Sequence, residues 1–119
     1  LWSRGLGDVY KRQIFDLVDE AQPWAERPTI DVATFGKWGT QLSAVTGEHP
    51  HLLLAGVSTD FCVITTALAA ADAGAWVKVV SDACAGSAPD NHEAALTVMD
   101  LYSPQIDVVT SSQVLATLA

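Results

Sequence analysis

Residues 52–66, LLLAGVSTDFCVITT, decide which fold this sequence predicts. The apolar run at 52–57 is bounded by turn-forming residues, which is typical of a strand buried on both faces of a parallel sheet. Small polar residues and an acid follow, and Cys62 then stands where a helix is expected to begin. The stretch therefore predicts a strand that turns directly into a helix, with a cysteine at the corner.

Strands and helices alternate on the C-terminal side of this corner. Residues 60–73 are rich in alanine and favour a helix, which Gly74 is expected to end. The later predictions are a strand at 75–83, a helix at 87–102, a strand at 106–111 and a helix at 111–118. Helix N-caps are expected at Ser87 or Asp90, and at Ser111 or Ser112. This alternation predicts an α/β fold with right-handed crossovers and a mostly parallel sheet.

The N-terminal side of the corner is less regular. Residues 14–21 and 35–45 predict short helices, and residues 29–32 predict a short strand. Residues 1–13, LWSRGLGDVYKRQ, contain three of the six basic residues and resemble translated sequencing-adapter sequence. They are expected to be a non-native leader, the alternative being a genuine arm. Residues 14–119 are then expected to be the C-terminal portion of a single domain.

The composition excludes several classes of function. The chain has 119 residues, 50% of them hydrophobic, so one globular domain is expected. Its net charge of −8 argues against a nucleic-acid or anionic-membrane partner. No apolar run approaches the ~20 residues of a membrane span, and no signal peptide is visible. The two cysteines form no disulfide framework, so a reducing, cytoplasmic location is expected.

The position of Cys62 has a chemical explanation. A thiolate is a far better nucleophile than a thiol, and the N-terminus of a helix favours negative charge. Backbone N–H groups at the same place can hold the oxyanion of a tetrahedral intermediate. The small residues at 55–58 leave room for a substrate beside the backbone. The alternative is that Cys62 is a small apolar side chain packed under the sheet, as free cysteines often are.

The segment 52–86 closely resembles the nucleophile region of the isochorismatase-like cysteine hydrolases, which include nicotinamidases, N-carbamoylsarcosine amidases and isochorismatases. The matching features are an apolar strand, GVSTDFCV at 56–63, a helix, and a strand that ends in SDACA at 81–85. HEAALTVM at 92–99 is also similar to the family. The resemblance covers residues 28–119 and implies a three-layer α/β/α, Rossmann-like fold whose first strands are missing from this chain.

The same resemblance implies a reaction and a site. Cys62 matches the nucleophile of a hydrolase that cleaves a small-molecule amide through a thioester. The peptide between Val57 and Ser58 matches a cis bond, and the backbone N–H groups of Ser58 and Cys62 match an oxyanion hole. Isochorismatase members cleave a vinyl ether instead, which is one alternative. Another is a relative that kept the fold as a binding or scaffold protein and lost catalysis.

The match fails at two catalytic positions of the family. The acid/base Asp near the chain start of relatives has no counterpart here. The position of the catalytic lysine in relatives corresponds to a position near Asp31 or Val32 in this sequence, and neither residue is a lysine. Lys37 is close by in sequence and is expected to take that role as a cation near the thiolate. The alternative is an exposed loop lysine beside Trp38.

Three further residues near the predicted site are expected to be structural. Asp60 is expected to cap the nucleophile helix, and Asp82 to order its neighbouring loop. Cys84 is expected to be a buried small residue. Redox pairing of Cys84 with Cys62 is a weaker alternative, which requires Cα atoms no more than ~7 Å apart.

The histidines and aromatic residues carry weaker signals. The three histidines, His49, His51 and His92, lack metal-ligand spacing, so no metal and no cofactor are expected. His49 and His51 are expected on the side opposite the site, and His92 at the surface or in a cap. Phe35, Trp38 and Phe61 are expected in the core or around an apolar pocket. The expected partners are a small-molecule substrate and, through an exposed sheet edge, further copies of the chain.

Overall fold

The computed structural model describes residues 18–24 and 26–118. The chain divides into two compact units, residues 1–34 and residues 35–119. In the first unit a 3-10 helix spans Asp19–Trp24. No helix in the described part of the chain is long and apolar enough to cross a membrane.

Of the predictions for the N-terminal side, some lie outside the described residues and one is wrong. The predicted leader at 1–13 and the first half of the predicted helix, 14–17, lie outside the described residues. The strand predicted at 29–32 is wrong, because these residues adopt no strand. Their sequence, TIDV, offers only two large apolar side chains, which is too short a pattern to fix a strand against a core.

The second unit alternates strands and helices. Its elements are α1 (Thr40–Thr46), β1 (His51–Val57), a π-helical turn (Thr59–Val63), α2 (Ile64–Asp72), β2 (Trp76–Ala85), α3 (Pro89–Asp100), β3 (Ile106–Val109) and α4 (Ser111–Leu118). The strands form a parallel sheet in the order β1-β2-β3. The predicted α/β class with a parallel sheet is therefore confirmed.

The hydrophobic core lies on one face of this sheet. Val77 and Val79 of β2 point to that face and are 2% and 0% exposed, and α2 and α3 pack over them. Met99 of α3 and Ile106 of β3 are also fully buried there. Helix α4 contacts β2 and, together with Trp76 and other residues of the opposite face, lines a cavity of about 510 Å³. Helices thus lie on both faces, which gives the three layers that the family resemblance implies.

Strand β1 is not buried on both faces, contrary to the prediction from residues 52–57. Its side chains alternate between exposed and half-buried positions, and Leu53 is 57% exposed. The prediction of burial on both faces is therefore wrong for this strand in the described part of the chain. An apolar run does not specify how many faces are covered, because coverage depends on distant elements.

Helix ends follow recognised capping patterns, though not always at the predicted residues. Gly74 terminates helix α2 as predicted, just past its last residue, with a φ of 100° and an N–H that donates to the Ala71 carbonyl at 3.0 Å. The Ala75 N–H donates to the Ala70 carbonyl at 2.9 Å, which completes a Schellman motif. Both predicted N-caps of α3 are wrong, Ser87 by one residue and Asp90 by two, because Ala88 caps and Pro89 begins the helix.

Helix α4 is capped by Thr110 rather than by Ser111 or Ser112. The Gln113 N–H donates to Thr110 Oγ1 at 3.2 Å, and the Thr110 N–H donates to Gln113 Oε1 at 2.9 Å. These reciprocal hydrogen bonds form a capping box. The sequence pattern T-x-x-Q was visible at 110–113, but three consecutive hydroxyl residues made the cap position ambiguous.

Candidate functional site

The corner between β1 and α2 is a wide turn that holds Cys62. We call residues Ser58–Val63 the corner turn. The peptide bond between Val57 and Ser58 is cis, the configuration that the family resemblance implies. The Ser58 carbonyl accepts hydrogen bonds from the N–H groups of Phe61 and Val63, both at 3.1 Å. The five-residue reach of the second bond makes this segment π-helical, and regular α-helix begins only at Ile64.

Thr66 connects Cys62 to the segment that contains Lys37. Cys62 is half-buried, and its carbonyl accepts a hydrogen bond from Thr66 Oγ1 at 2.7 Å. The Lys37 N–H donates to the same Thr66 oxygen at 2.9 Å. A Cβ atom at Gly36 would lie 3.0 Å from Thr65 Cγ2, so glycine allows this segment to pack closely against α2. The structure thus brings the backbone of Lys37 beside the helix that follows Cys62.

The three aromatic candidates separate into two groups. Phe35 and Phe61 are 64% and 47% exposed, and their rings stack with centroids 5.7 Å apart. Both rings lie outside the core, and Phe61 directly precedes Cys62 in the sequence. Trp38 packs against the hydrophobic core. An exposed stacked pair beside the corner turn is suited to contact a planar or apolar ligand.

Asp60 does not cap the helix of Cys62, and that prediction is wrong. Its carboxylate accepts hydrogen bonds from the Ser87 N–H at 2.9 Å and from the Ser87 hydroxyl. These bonds from Ser87 hold the pKa of the Asp60 carboxyl below its ordinary value, and the nearby His92 acts in the same direction. Asp60 therefore fastens the corner turn to the loop after β2.

Asp82 repeats this arrangement one strand further along. Its carboxylate accepts hydrogen bonds from the Ser111 N–H at 2.7 Å and the Ser111 hydroxyl at 2.6 Å. These bonds hold the pKa of the Asp82 carboxyl below its ordinary value. Asp82 orders the neighbouring loop as predicted. The carboxyl ends of the strands are thereby joined by two equivalent carboxylate–serine pairs.

These pairs predict a specific loss of stability in acid. A carboxyl group with a lowered folded-state pKa stabilises the fold fully above its unfolded pKa, about 3.9, and the stabilisation disappears as pH falls through the folded-state value. We expect the free energy of unfolding to fall more steeply below about pH 4 for the wild type than for the variant carrying Asp60→Asn and Asp82→Asn. Urea unfolding at a series of pH values measures this. Glu93→Gln, at an exposed carboxylate of α3, is the control, and equal acid slopes in wild type and double variant would contradict the prediction.

His92 also differs from its prediction. It is half-buried rather than at the surface, and its Nδ1 lies 2.7 Å from Oγ1 of Thr59, which is 0% exposed. Gly86 allows this packing, because a Cβ atom there would lie 2.8 Å from the His92 Cβ. Its position three residues after Pro89 correctly indicated the first turn of α3. Its hydrogen-bond partner, Thr59, is 33 residues away, so the sequence could not indicate this contact.

The other histidines lie at the amino end of β1, away from the corner turn. His49 Nδ1 lies 3.1 Å from the Gly74 carbonyl oxygen, and the His51 ring stacks on Trp76 with centroids 6.4 Å apart. Among residues 18–24 and 26–118, no group of three or more His, Cys, Asp or Glu side chains could hold a metal ion.

Cys84 differs from Cys62 in its surroundings. It lies on β2 opposite Gly56 of β1, is half-buried, and, like Cys62, is a free thiol. Burial raises the pKa of the Cys84 thiol, and the Asp82 carboxylate adds to the rise while a hydrogen bond with the Gly56 backbone opposes it. Cys84 is therefore a poor nucleophile at neutral pH.

Known proteins share this fold and sequence pattern. The sequence matches the isochorismatase domain over residues 12–113. An isochorismatase-like hydrolase from Alkaliphilus metalliredigens matches with a TM-score of 0.76 at 19% identity, covering 99% of this chain and 70% of that one. A nicotinamidase from Bacillus subtilis matches with a TM-score of 0.63 at 26% identity, covering 76% of this chain and 52% of that one.

A third solved structure has a different assigned role. A Leishmania major protein with the provisional name Mar1 ribonuclease matches with a TM-score of 0.68 at 20% identity. The match covers 72% of this chain and 45% of the Leishmania protein. The chain therefore spans about half the length of this protein and of the Bacillus nicotinamidase. Identities of 19% and 20% establish a shared fold and nothing finer.

Proposed function

Because this chain belongs to the isochorismatase domain family, we propose that it is a cysteine hydrolase that cleaves a small-molecule amide with Cys62 as nucleophile. The observation that carries the proposal is the corner turn itself. A half-buried cysteine lies in a π-helical turn at the carboxyl end of a parallel strand. That edge of a parallel sheet is where α/β proteins bind ligands.

The proposed reaction proceeds through two acyl transfers. The Cys62 sulfur forms a bond to the amide carbonyl carbon, and the carbonyl electron pair moves onto oxygen. The backbone N–H groups of Ser58 and Cys62 hold that oxyanion. The carbon–nitrogen bond then breaks as the leaving nitrogen takes up the proton that the thiol released. Water attacks the thioester, which releases the acid and returns the thiol.

Lys37 is proposed to assist Cys62 as a nearby cation. Its backbone is one hydrogen-bonded link, through Thr66, from the backbone of Cys62. A lysine ammonium near a sulfur stabilises the thiolate form over the thiol.

A small amide suits this chain better than a polynucleotide. The net charge of −8, with six basic residues, repels a phosphate backbone. This charge argues against extending to this chain the ribonuclease activity for which the Leishmania protein is named. The Bacillus nicotinamidase has the higher identity and supports an aromatic amide. The exposed stack of Phe35 and Phe61 beside the corner turn is consistent with such a planar group.

The first test measures the reactivity of Cys62. We expect iodoacetamide to alkylate Cys62 at neutral pH faster than it alkylates free cysteine under the same conditions. Lys37→Ala is expected to slow the reaction at neutral pH by roughly tenfold, because the thiolate loses its cation. The experiment uses the Cys84→Ser background, so that a single thiol reacts, and peptide mass analysis confirms the site of labelling.

The alkylation result distinguishes a hydrolase from a non-catalytic protein that has only kept the fold. If Cys62 reacts no faster than free cysteine at neutral pH, or stays inert, the hydrolase proposal is wrong and a binding or scaffold role remains. If Cys62 is reactive but Lys37→Ala has no effect, the nucleophile stands and the assignment of Lys37 fails.

A further inference from the structure

Thr59 of the corner turn and His92 of α3 form a partly buried contact. Thr59 follows Ser58 of the cis peptide and precedes Cys62 by three residues, and its side chain is 0% exposed. Its Oγ1 lies 2.7 Å from His92 Nδ1 on α3. Within the described residues, no buried side-chain nitrogen or oxygen lacks a hydrogen-bond partner. The distance and the burial together identify a short hydrogen bond that fixes the direction of both side chains.

The backbone around this contact is arranged to permit it. A Cβ atom at Gly86 would lie 2.8 to 3.0 Å from the Cβ, Cα and N atoms of His92. Such contacts with backbone atoms leave room for glycine alone without a shift of α3. Asp60, the next residue after Thr59, is held by Ser87 from the same loop. Two adjacent residues of the corner turn are therefore attached, Asp60 to the β2–α3 connection and Thr59 to the first turn of α3.

We propose that His92 is a positioning residue that sets the orientation of Cys62 through Thr59. The inference rests on the proposed function of Cys62. The hydrogen bond fixes Thr59, Thr59 fixes the backbone between the cis peptide and Cys62, and that backbone aims both the sulfur and the Ser58 N–H. His92 touches neither substrate nor the reacting sulfur in this scheme. Its effect on the reaction comes from geometry, to which rates respond steeply.

A purely structural role for the pair makes different predictions. If Thr59 and His92 only filled space, an apolar pair of similar shape would serve equally well. A directional hydrogen bond is instead sensitive to loss of the polar groups and tolerant of changes that keep them. Thr59→Val and His92→Leu remove the bond while keeping volume. Thr59→Ser keeps the hydroxyl, and His92→Asn keeps a hydrogen-bonding atom near the position of Nδ1.

The experiment measures the four single variants and the double variant Thr59→Val with His92→Leu, all in the full chain with Cys84→Ser. The probes are iodoacetamide for the alkylation rate of Cys62 and nicotinamide for kcat and KM.

We expect Thr59→Val and His92→Leu to lower the alkylation rate and kcat by roughly 10- to 100-fold with little change in KM. Thr59→Ser and His92→Asn are expected to stay within about threefold of the parent. The double variant should be no slower than the slower single variant, because both changes remove one interaction.

The outcomes separate this inference from the proposed function. If the parent Cys62 is reactive and the apolar variants react at the parental rate, the positioning role is wrong while the nucleophile stands. If the parent itself is unreactive towards iodoacetamide, the proposed function fails and this inference fails with it. Thermal unfolding of each variant identifies any that do not fold. Should the apolar variants be lost in this way, a 10-fold or greater drop in kcat for folded His92→Asn would overturn the inference, and near-parental kcat would support it.

Discussion

Replacement of Cys62 by serine is expected to lower small-amide hydrolysis by about 10³-fold or more, because the hydroxyl of serine is a far weaker nucleophile without a strong base beside it. The substitution changes one atom and preserves the size of a half-buried side chain, so the corner turn should keep its geometry. The effect should fall on kcat, since the nucleophile acts in the chemical step. Release of ammonia from nicotinamide and other small amides provides the measurement.

Cys84→Ser is the matched control for that experiment. Cys84 is also half-buried and free, but it lies on β2, and its thiol pKa is raised by burial. Its replacement should leave the rate of hydrolysis within about twofold of the parent. If Cys62→Ser retained more than a tenth of the parental rate, or if both substitutions had the same effect, the assignment of Cys62 as nucleophile would have to be abandoned.

Met99→Ala is expected to cause the largest loss of stability, about 2–5 kcal/mol in the free energy of unfolding. Met99 is 0% exposed and packs within the cluster that contains Val77, Val79 and Ile106. Truncation removes buried apolar surface and leaves a cavity between α3 and the sheet. Because domains of this size are stable by only about 5–15 kcal/mol, the midpoint of urea unfolding should shift strongly.

The neighbouring residue supplies the control for this core substitution. Val98 lies on the same helix and is 40% exposed. The control variant is Val98→Ala. We expect a change of less than about 1 kcal/mol, since much of the valine already contacts water. Equal losses for the two variants would show that α3 is not seated on the sheet as described.

The order of elements was predictable because each strand and helix has its own local signal. Residues 75–83 are rich in β-branched side chains, and residues 60–73 are rich in alanine, so local preference and tertiary structure agree. Gly74 was recognised for the same reason, since a positive φ at a helix end favours glycine. The parallel sheet then followed from the alternation alone.

The predictions that failed concern properties set by distant residues. The exposed face of β1 depends on which elements cover the sheet, and LLLAGV has the same letters whether one or both faces are buried. Asp60 had the composition and position of a helix cap, yet its partner Ser87 lies 27 residues away. Local sequence could therefore identify Asp60 as a hydrogen-bonding residue but could not identify the donor.

The candidate nucleophile could be proposed from the sequence, whereas the residues that hold its backbone in place could not. Cys62 stands out because a lone cysteine at a strand-to-helix corner has a clear chemical use. Lys37 was proposed from sequence proximity, and the structure places its backbone against α2 through Thr66. His92 was overlooked because an isolated histidine in the first turn of a helix gives no sign of the buried hydroxyl that it meets.

The carboxylate–serine pairs limit how this fold can be recombined with its relatives. Asp60 and Ser87 belong to consecutive strand–helix repeats, and so do Asp82 and Ser111. A chimaera that takes only the middle repeat, β2 with α3, from another parent separates both pairs at once. Such hybrids should succeed only when the two parents carry the same acids and serines. Crossover points that keep all three repeats together avoid this incompatibility.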